Sequence, residues 1–182
     1  MALTRLLSVE DLEQMGSEGE ALELYDGVPR EHTGMSWQHG RLGVRISSPL
    51  YFYVASHALG EVFTSDTLFT LARHPDTVVR PDVSFVRSDR RPPEDEWDRI
   101  ARIPPDLAVE VVSPTDRPVD IMDKIERYQA AGVPLLWLVE PGRRTVTVYT
   151  LGQDPHTLRE ADILHGGDVI PGFTLPIAEI FQ

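Results

Sequence analysis

The chain contains no cysteine, which excludes disulfides and thiolate metal sites at once. Lysine is almost absent as well: of 17 Lys+Arg, Lys124 is the only lysine, and every other fixed positive charge is an arginine. Long apolar runs are missing too. The longest are strand-sized, and the opening MALTRLLSVEDLEQM lacks the apolar length of a signal peptide, so a cytoplasmic protein without membrane contact is expected. There is no GxSxG, no Walker loop, no GxGxxG and no HExxH, and the six histidines are scattered without metal spacing. Positive charge is in short supply overall. A formal net charge of −12 argues against a protein that coats nucleic acid non-specifically, because phosphate contacts need a basic surface.

What remains is an ordinary globular composition, 41% hydrophobic and 25% charged over 182 residues, with no repeat, no low-complexity segment and no composition break. One domain over 1–182 is expected. Ser8, with an acid three residues on, starts a short helix that runs to about Met15. Residues 16–20 read as loop. Leu22 to Tyr25, Asp26-Gly27, and Val28 to His32 read as a hairpin. Residues 36–57 read as a long helix with Leu42, Ile46, Leu50 and Val54 at four-residue steps, kinked or divided at Pro49. Strands are expected at 61–64 and 68–71, joined around Ser65-Asp66, and again at 83–86 behind Arg80-Pro81-Asp82. Residues 88–103 form a polar loop with a short helix around 96–100. Residues 145–150 alternate as an antiparallel strand with one wet face. A last short helix covers 177–181.

The stretch from Asp106 to Pro141 organises the rest. Residues 107–112 are a short β-branched run suited to a strand buried on both faces, with one charge, Glu110, inside it. A carboxylate in that place must be paired, protonated or metal-bound, because an isolated buried charge is very costly. A turn-rich link leads to a helix over about 119–131, stopped by Gly132-Val133-Pro134. A second apolar strand at 135–139 completes a βαβ unit with a parallel pair. On that helix Ile121, Ile125 and Tyr128 form the apolar stripe, and Lys124 lies roughly 60° from Ile121, at the stripe's edge. From there its ammonium can reach the strand carrying Glu110. The competing reading is an exposed ion pair with Asp120 at i, i+4. On either reading, removing this helix-flank lysine is expected to cost the fold little.

Asp82 at the mouth of one strand, Glu110 inside the next and Lys124 on the following helix converge. Neighbouring strands lie roughly 4.8 Å apart, so two such carboxylates can share one hard cation, Mg²⁺ or Mn²⁺. The metal would polarise a phosphoryl oxygen and lower the pKa of an attacking water, with Lys124 orienting that water or offsetting charge on phosphorus.

These residues resemble the PD-(D/E)XK nuclease superfamily: Pro81-Asp82 matches its first half and Glu110 the acid of its second. The chain is similar, more closely, to the Uma-two family of restriction-endonuclease-like proteins. The matching stretches are Glu23-Leu24-Tyr25-Asp26-Gly27, His39 ahead of a long helix, Arg80-Pro81-Asp82-Val83, Glu110-Val111-Val112-Ser113-Pro114, Lys124 with Tyr128, and Gly132-Val133. The resemblance implies a mixed α/β fold, with a central mixed sheet flanked by helices and a divalent metal at its open edge. It implies Asp82 and Glu110 as metal ligands, Lys124 as a catalytic ammonium, Glu23 as an accessory acid, His39 as a phosphate or water contact, DNA as substrate and a homodimer. Val112 stands where the superfamily usually has its lysine, and Lys124 fits a migrated one. Glu23 read as an exposed strand residue, and His39 as a structural histidine, are the alternatives.

Two functions therefore compete. One is a metal-dependent DNA endonuclease. The other is a nuclease-fold binding or regulatory module without turnover, which the acidity favours. The position of the Arg-rich loop (Arg87, Arg90, Arg91, Arg99, Arg102) discriminates between them: beside the site it supports cleavage, and far from it the module.

Overall fold

A computed structural model describes residues 5–31 and 36–182. Among these no helix is long and apolar enough to cross a membrane. The core is a six-stranded mixed sheet in the order β10-β9-β8-β7-β6-β3. Its strands are β3 (Gly60–Thr64), β6 (Val83–Arg87), β7 (Leu107–Val111), β8 (Leu135–Glu140), β9 (Thr145–Thr150) and β10 (His156–Leu158). Only the β7–β8 pair is parallel, joined by helix α4 (Pro118–Ala130), as the βαβ reading of this stretch requires. The architecture is the expected mixed α/β one.

Two layers cover the sheet, and the period-2 alternation of its strands assigns side chains to them. Leu107, Val109 and Val111 of β7 and Leu135, Trp137 and Val139 of β8 face the side covered by α3 (Trp37–Ser56) and α5 (Ile177–Phe181). Ala108, Leu136 and Leu138 face the other side, where Ile125 and Tyr128 of α4 pack. Glu110 shares the parity of Ala108, so alternation alone sends its carboxylate towards α4.

A smaller sheet, β2-β1-β5-β4, flanks that α4 side. It comprises β1 (Leu22–Tyr25), β2 (Val28–Glu31), β4 (Phe69–Ala72) and β5 (Thr77–Val79). β1 and β2 form the hairpin that Asp26-Gly27 announces, with Glu23 opposite Arg30. Of β1, Leu24 packs with Val9 and Leu12 of α1 (Val9–Met15), while Tyr25 turns to the central sheet, and Glu23 has its parity.

Three local expectations need correction. Residues 17–20 are a one-turn helix, α2 (Ser17–Glu20), and not loop. α3 runs unbroken through Pro49. The strands expected at 61–64 and 68–71 do form, each in its own sheet: β3 pairs with β6, β4 with β5. In place of a helix around 96–100 there are two single-turn 3₁₀ segments, Ser88–Arg90 and Glu94–Glu96. For β3 and β4 the sequence signal is local and long-range pairing decides the sheet. The end of the β2 expectation, His32, lies outside the described residues. The remaining strands, β11 (Ile163–His165) and β12 (Thr174–Pro176), form a two-stranded ribbon leading into α5.

Candidate active site

The link from β5 to β6 carries the chain from the small sheet into the large one, and it does so through Arg80-Pro81-Asp82. Pro81 offers no N–H and cannot extend either ladder. The backbone N–H of Arg80 donates to Glu23 Oε1 at 2.7 Å, which ties the hairpin strand to this crossover. The N–H of Asp82 then donates to the Val109 carbonyl at 3.0 Å, bringing Asp82 beside Glu110 on the adjacent strand.

The sequence-predicted residues Glu23, His39, Asp82, Glu110 and Lys124 all line one cleft of about 340 Å³. Asp82 is buried. Its Oδ2 accepts the Val111 N–H at 2.7 Å, and its Oδ1 lies 2.6 Å from His39 Nε2. His39 reaches it from the first turn of α3, where Ser36 caps the helix by accepting the His39 N–H. The hydrogen bond to Asp82 holds the His39 imidazole above the usual histidine value against the opposing effect of burial.

Lys124 does not pair with Asp120. Asp120 is held by Arg117 of its own turn at 2.6 Å, and the Lys124 ammonium turns inward along the sheet. Its Nζ lies 3.0 Å from both oxygens of Glu110 and 3.0 Å from Glu23 Oε1. Burial alone would lower the lysine, yet the charges of Glu110 and Glu23 hold it well above its ordinary value. Glu23 is buried and not an exposed strand residue. Burial pushes the Glu110 carboxyl up to about 8, opposed by Lys124 and reinforced by the negative charges of Asp82 and Glu23.

The sequence left one partner unassigned. Tyr128, one turn after Lys124 on the same helix face, donates its hydroxyl to Glu110 Oε1 at 2.6 Å. A signal existed: a fully buried tyrosine must find a partner for its hydroxyl, and Glu110 was the acid in reach. Arg30 also lines the cleft, its guanidinium 4.2 Å above the Tyr25 ring.

The Arg-rich loop, by contrast, is not part of the site. It leaves from the C-terminal end of β6, whereas Asp82 precedes the strand's N-terminal end, a separation of roughly 17 Å over five residues. Arg90 binds Asp106, Arg91 binds Glu61, Arg87 binds Asp89 and Arg102 binds Glu13. These guanidiniums are spent on neighbouring acids, and none lines the cleft.

Three groups of donors are thus on hand for a cation: the carboxylates of Glu23, Asp82 and Glu110. Among the described residues no set of three or more His, Asp or Glu is already gathered in metal-holding geometry. Two carboxylates on neighbouring strands, with water completing the shell, remain compatible with a hard divalent ion.

A crystal structure described as that of "a putative nuclease belonging to DUF820", from Anabaena variabilis, shares this fold, with a TM-score of 0.84. It is 20% identical, over 96% of this chain and 97% of that one. No curated protein matches the sequence. Residues 9–178 match the Uma2 family, described as "Putative restriction endonuclease", and with nearly its whole length covered the chain belongs to that family.

Proposed function

We propose that this protein is a divalent-metal-dependent nuclease, hydrolysing phosphodiester bonds of DNA, with Asp82 and Glu110 holding Mg²⁺ or Mn²⁺ and Lys124 assisting. One observation carries the reading. Three carboxylates and a single ammonium share one cleft, with Lys124 3.0 Å from two of them. A purely structural network would match its charges, whereas here burial and the charges of Asp82 and Glu23 hold Glu110 above its ordinary value, and a cation would favour its ionised form. When bound, the cation would supply Lewis-acid polarisation and a more acidic water. The chain's own groups do the positioning. His39 and the Val111 N–H fix the two oxygens of Asp82. Tyr128 fixes Glu110. Lys124, held between Glu110 and Glu23, offsets charge developing on phosphorus. Glu23 keeps that ammonium in place. Family membership supports nucleic acid as the substrate class. A homodimer, which would present two clefts to the two strands of a duplex, belongs to the same proposal.

A second reading has its own support. The distant and neutralised Arg-rich loop, together with a net charge of −12, favours a binding or regulatory module without turnover. Nicking of plasmid and of single-stranded DNA with Mn²⁺ separates the two, with Glu110→Gln as the inactive control. Lys124→Arg tests the ammonium: its planar fork should rescue poorly. Cleavage by Lys124→Arg equal to the parent's removes Lys124 from the mechanism. No cleavage by the parent, with retained oligonucleotide binding in fluorescence anisotropy, establishes the module.

A further inference from the structure

The outward face of α3 is unlike the rest of this acidic molecule. The helix has twenty residues, about 30 Å of length, and contains no Asp, Glu or Lys. Its two arginines are engaged: Arg41 donates to the Gln182 carbonyl at 2.6 Å and Arg45 to the Glu179 carbonyl at 2.9 Å, both at α5. Opposite the buried Leu42 and Ile46, the helix presents Trp37, Val44 and Tyr51, which are 99%, 62% and 54% exposed. Residues seven apart drift only about 20° around a helix, so these three form one straight stripe. The small residues Gly40 and Ser48 lie between them on the same face, and Phe52, 71% exposed, flanks it. A solvent-facing helix ordinarily carries its charges there.

We propose that this face is where a second copy of the chain docks, the two α3 helices crossing antiparallel on a two-fold axis at Val44. The stripe is its own complement in that arrangement. Pairing residues whose numbers sum to 88 sets Val44 on Val44, Gly40 against the partner's Ser48, and Trp37 against the partner's Tyr51. Large side chains meet at the ends and small ones flank the centre, which lets the helices approach to roughly 8–10 Å. A two-fold contact is isologous, so the same patch serves both copies. Tyr51 and Ala55 also border a hollow of about 380 Å³ with Ala58 and Val62, beside the end of the stripe where the partner's Trp37 arrives. The one acid in that hollow, Glu61, is paired with Arg91 at 3.0 Å.

Area and charge both fit a second copy. At 150–250 Å² for a fully buried ring, the three aromatics at their observed exposure offer on the order of 400 Å². A stable interface needs about 800 Å² per partner; the three rings supply about half, and Val44, Gly40, Ser48 and Ala55 along the same helix add to them. Like-charged copies of a −12 chain repel each other, and a face without acids is where they can meet.

The inference deepens the homodimer part of the proposal above, and its test reads mass and not cleavage, so the two can fail separately. Light scattering behind size exclusion, over a range of concentrations, should give a dimer for the parent protein. Val44→Glu places two carboxylates together on the axis and should weaken association by about 100-fold or more. Val44→Arg should do the same, and an equimolar mixture of the two variants should restore a dimer. Val44 is exposed and outside the cleft, so both variants should fold, which circular dichroism checks. A monomeric parent at all concentrations overturns the proposal, as does a dimer indifferent to Val44→Glu. Failure of the mixture to reassociate overturns the antiparallel register. A monomer whose Trp37→Ala variant loses single-stranded oligonucleotide binding assigns the face to nucleic acid instead.

Discussion

Two buried acids stand at opposite ends of β7. Asp106, just before the strand, accepts from Arg90 through Oδ1 at 2.6 Å and from the Arg87 N–H through Oδ2 at 2.9 Å. It is a closed pair, one acid against one guanidinium, and it pins the Arg-rich loop to the sheet. Glu110, four residues on, receives Lys124 and Tyr128 but shares that ammonium with Glu23 and has Asp82 beside it. Its surroundings open into a cleft. Burial is common to both acids, so burial does not mark the site. The imbalance of charge and the access to solvent do, because only an under-compensated acid has electrostatic energy to give to a ligand.

The largest test of that contrast is activity. Lys124→Met should lower Mn²⁺-supported nicking by about 100-fold or more. Asp106→Asn should leave the rate of the folded protein alone. Equal losses from both would erase the distinction.

Stability should respond at both ends. Asp106→Ala leaves Arg90 without its partner and should cost about 2–3 kcal/mol in urea denaturation, at the low end for a broken buried pair because Arg90 is partly exposed. Lys124→Met leaves Glu110 and Glu23 facing each other and should cost a similar amount near pH 8. This revises the expectation that a helix-flank lysine is cheap to remove: Lys124 is not on a flank but against the sheet. At pH 5, where Glu110 carries a proton, the Lys124→Met cost should shrink. A cost unchanged with pH would mean that Glu110 does not titrate as its burial requires.

His39 acts through Asp82, so its effect should be smaller. His39→Gln keeps a donor to Asp82 but loses the imidazolium, and activity or metal affinity should drop by about tenfold. Its raised pKa stabilises the fold below the ordinary value of 6.5, and that contribution is lost as pH rises through the raised value. His39→Gln should therefore flatten stability in that range.

The smallest signal is a proton. Glu110 titrates near 8 in the folded protein and near 4.5 when free, so the native state binds more protons between those values. Stability of the metal-free protein should fall as pH rises from about 4.5 to about 8 and level off above. Mg²⁺ binding near pH 7.5 should release a proton, read by calorimetry in buffers of different ionisation enthalpy. Binding heat independent of buffer would argue against Glu110 as a ligand.

Much of the architecture could be read from residue order. The βαβ unit, the Asp-Gly hairpin, the long helix with its four-residue apolar steps and the closing helix each rest on a local period or turn signal. What residue order did not give was whatever needed a distant partner, such as the assignment of β3 and β4 to separate sheets. The site was legible in its residue types, through the lone lysine and the acid inside an apolar strand. Its wiring was not. Tyr128 as the partner of Glu110, Arg80 N–H as the tie to Glu23, and His39 on Asp82 join residues 18, 57 and 43 positions apart.

By itself the sequence determined which side chains could face the core and which charges were scarce, because alternation and helical period are properties of a single segment. Only the tertiary structure decided where positive charge is spent. Four of five arginines drawn together in sequence are dispersed onto neighbouring acids away from the cleft, and one lysine that could have paired with Asp120 is turned inward to Glu110 and Glu23. Coulomb energy depends on distance and burial, and both are set by which strands become neighbours.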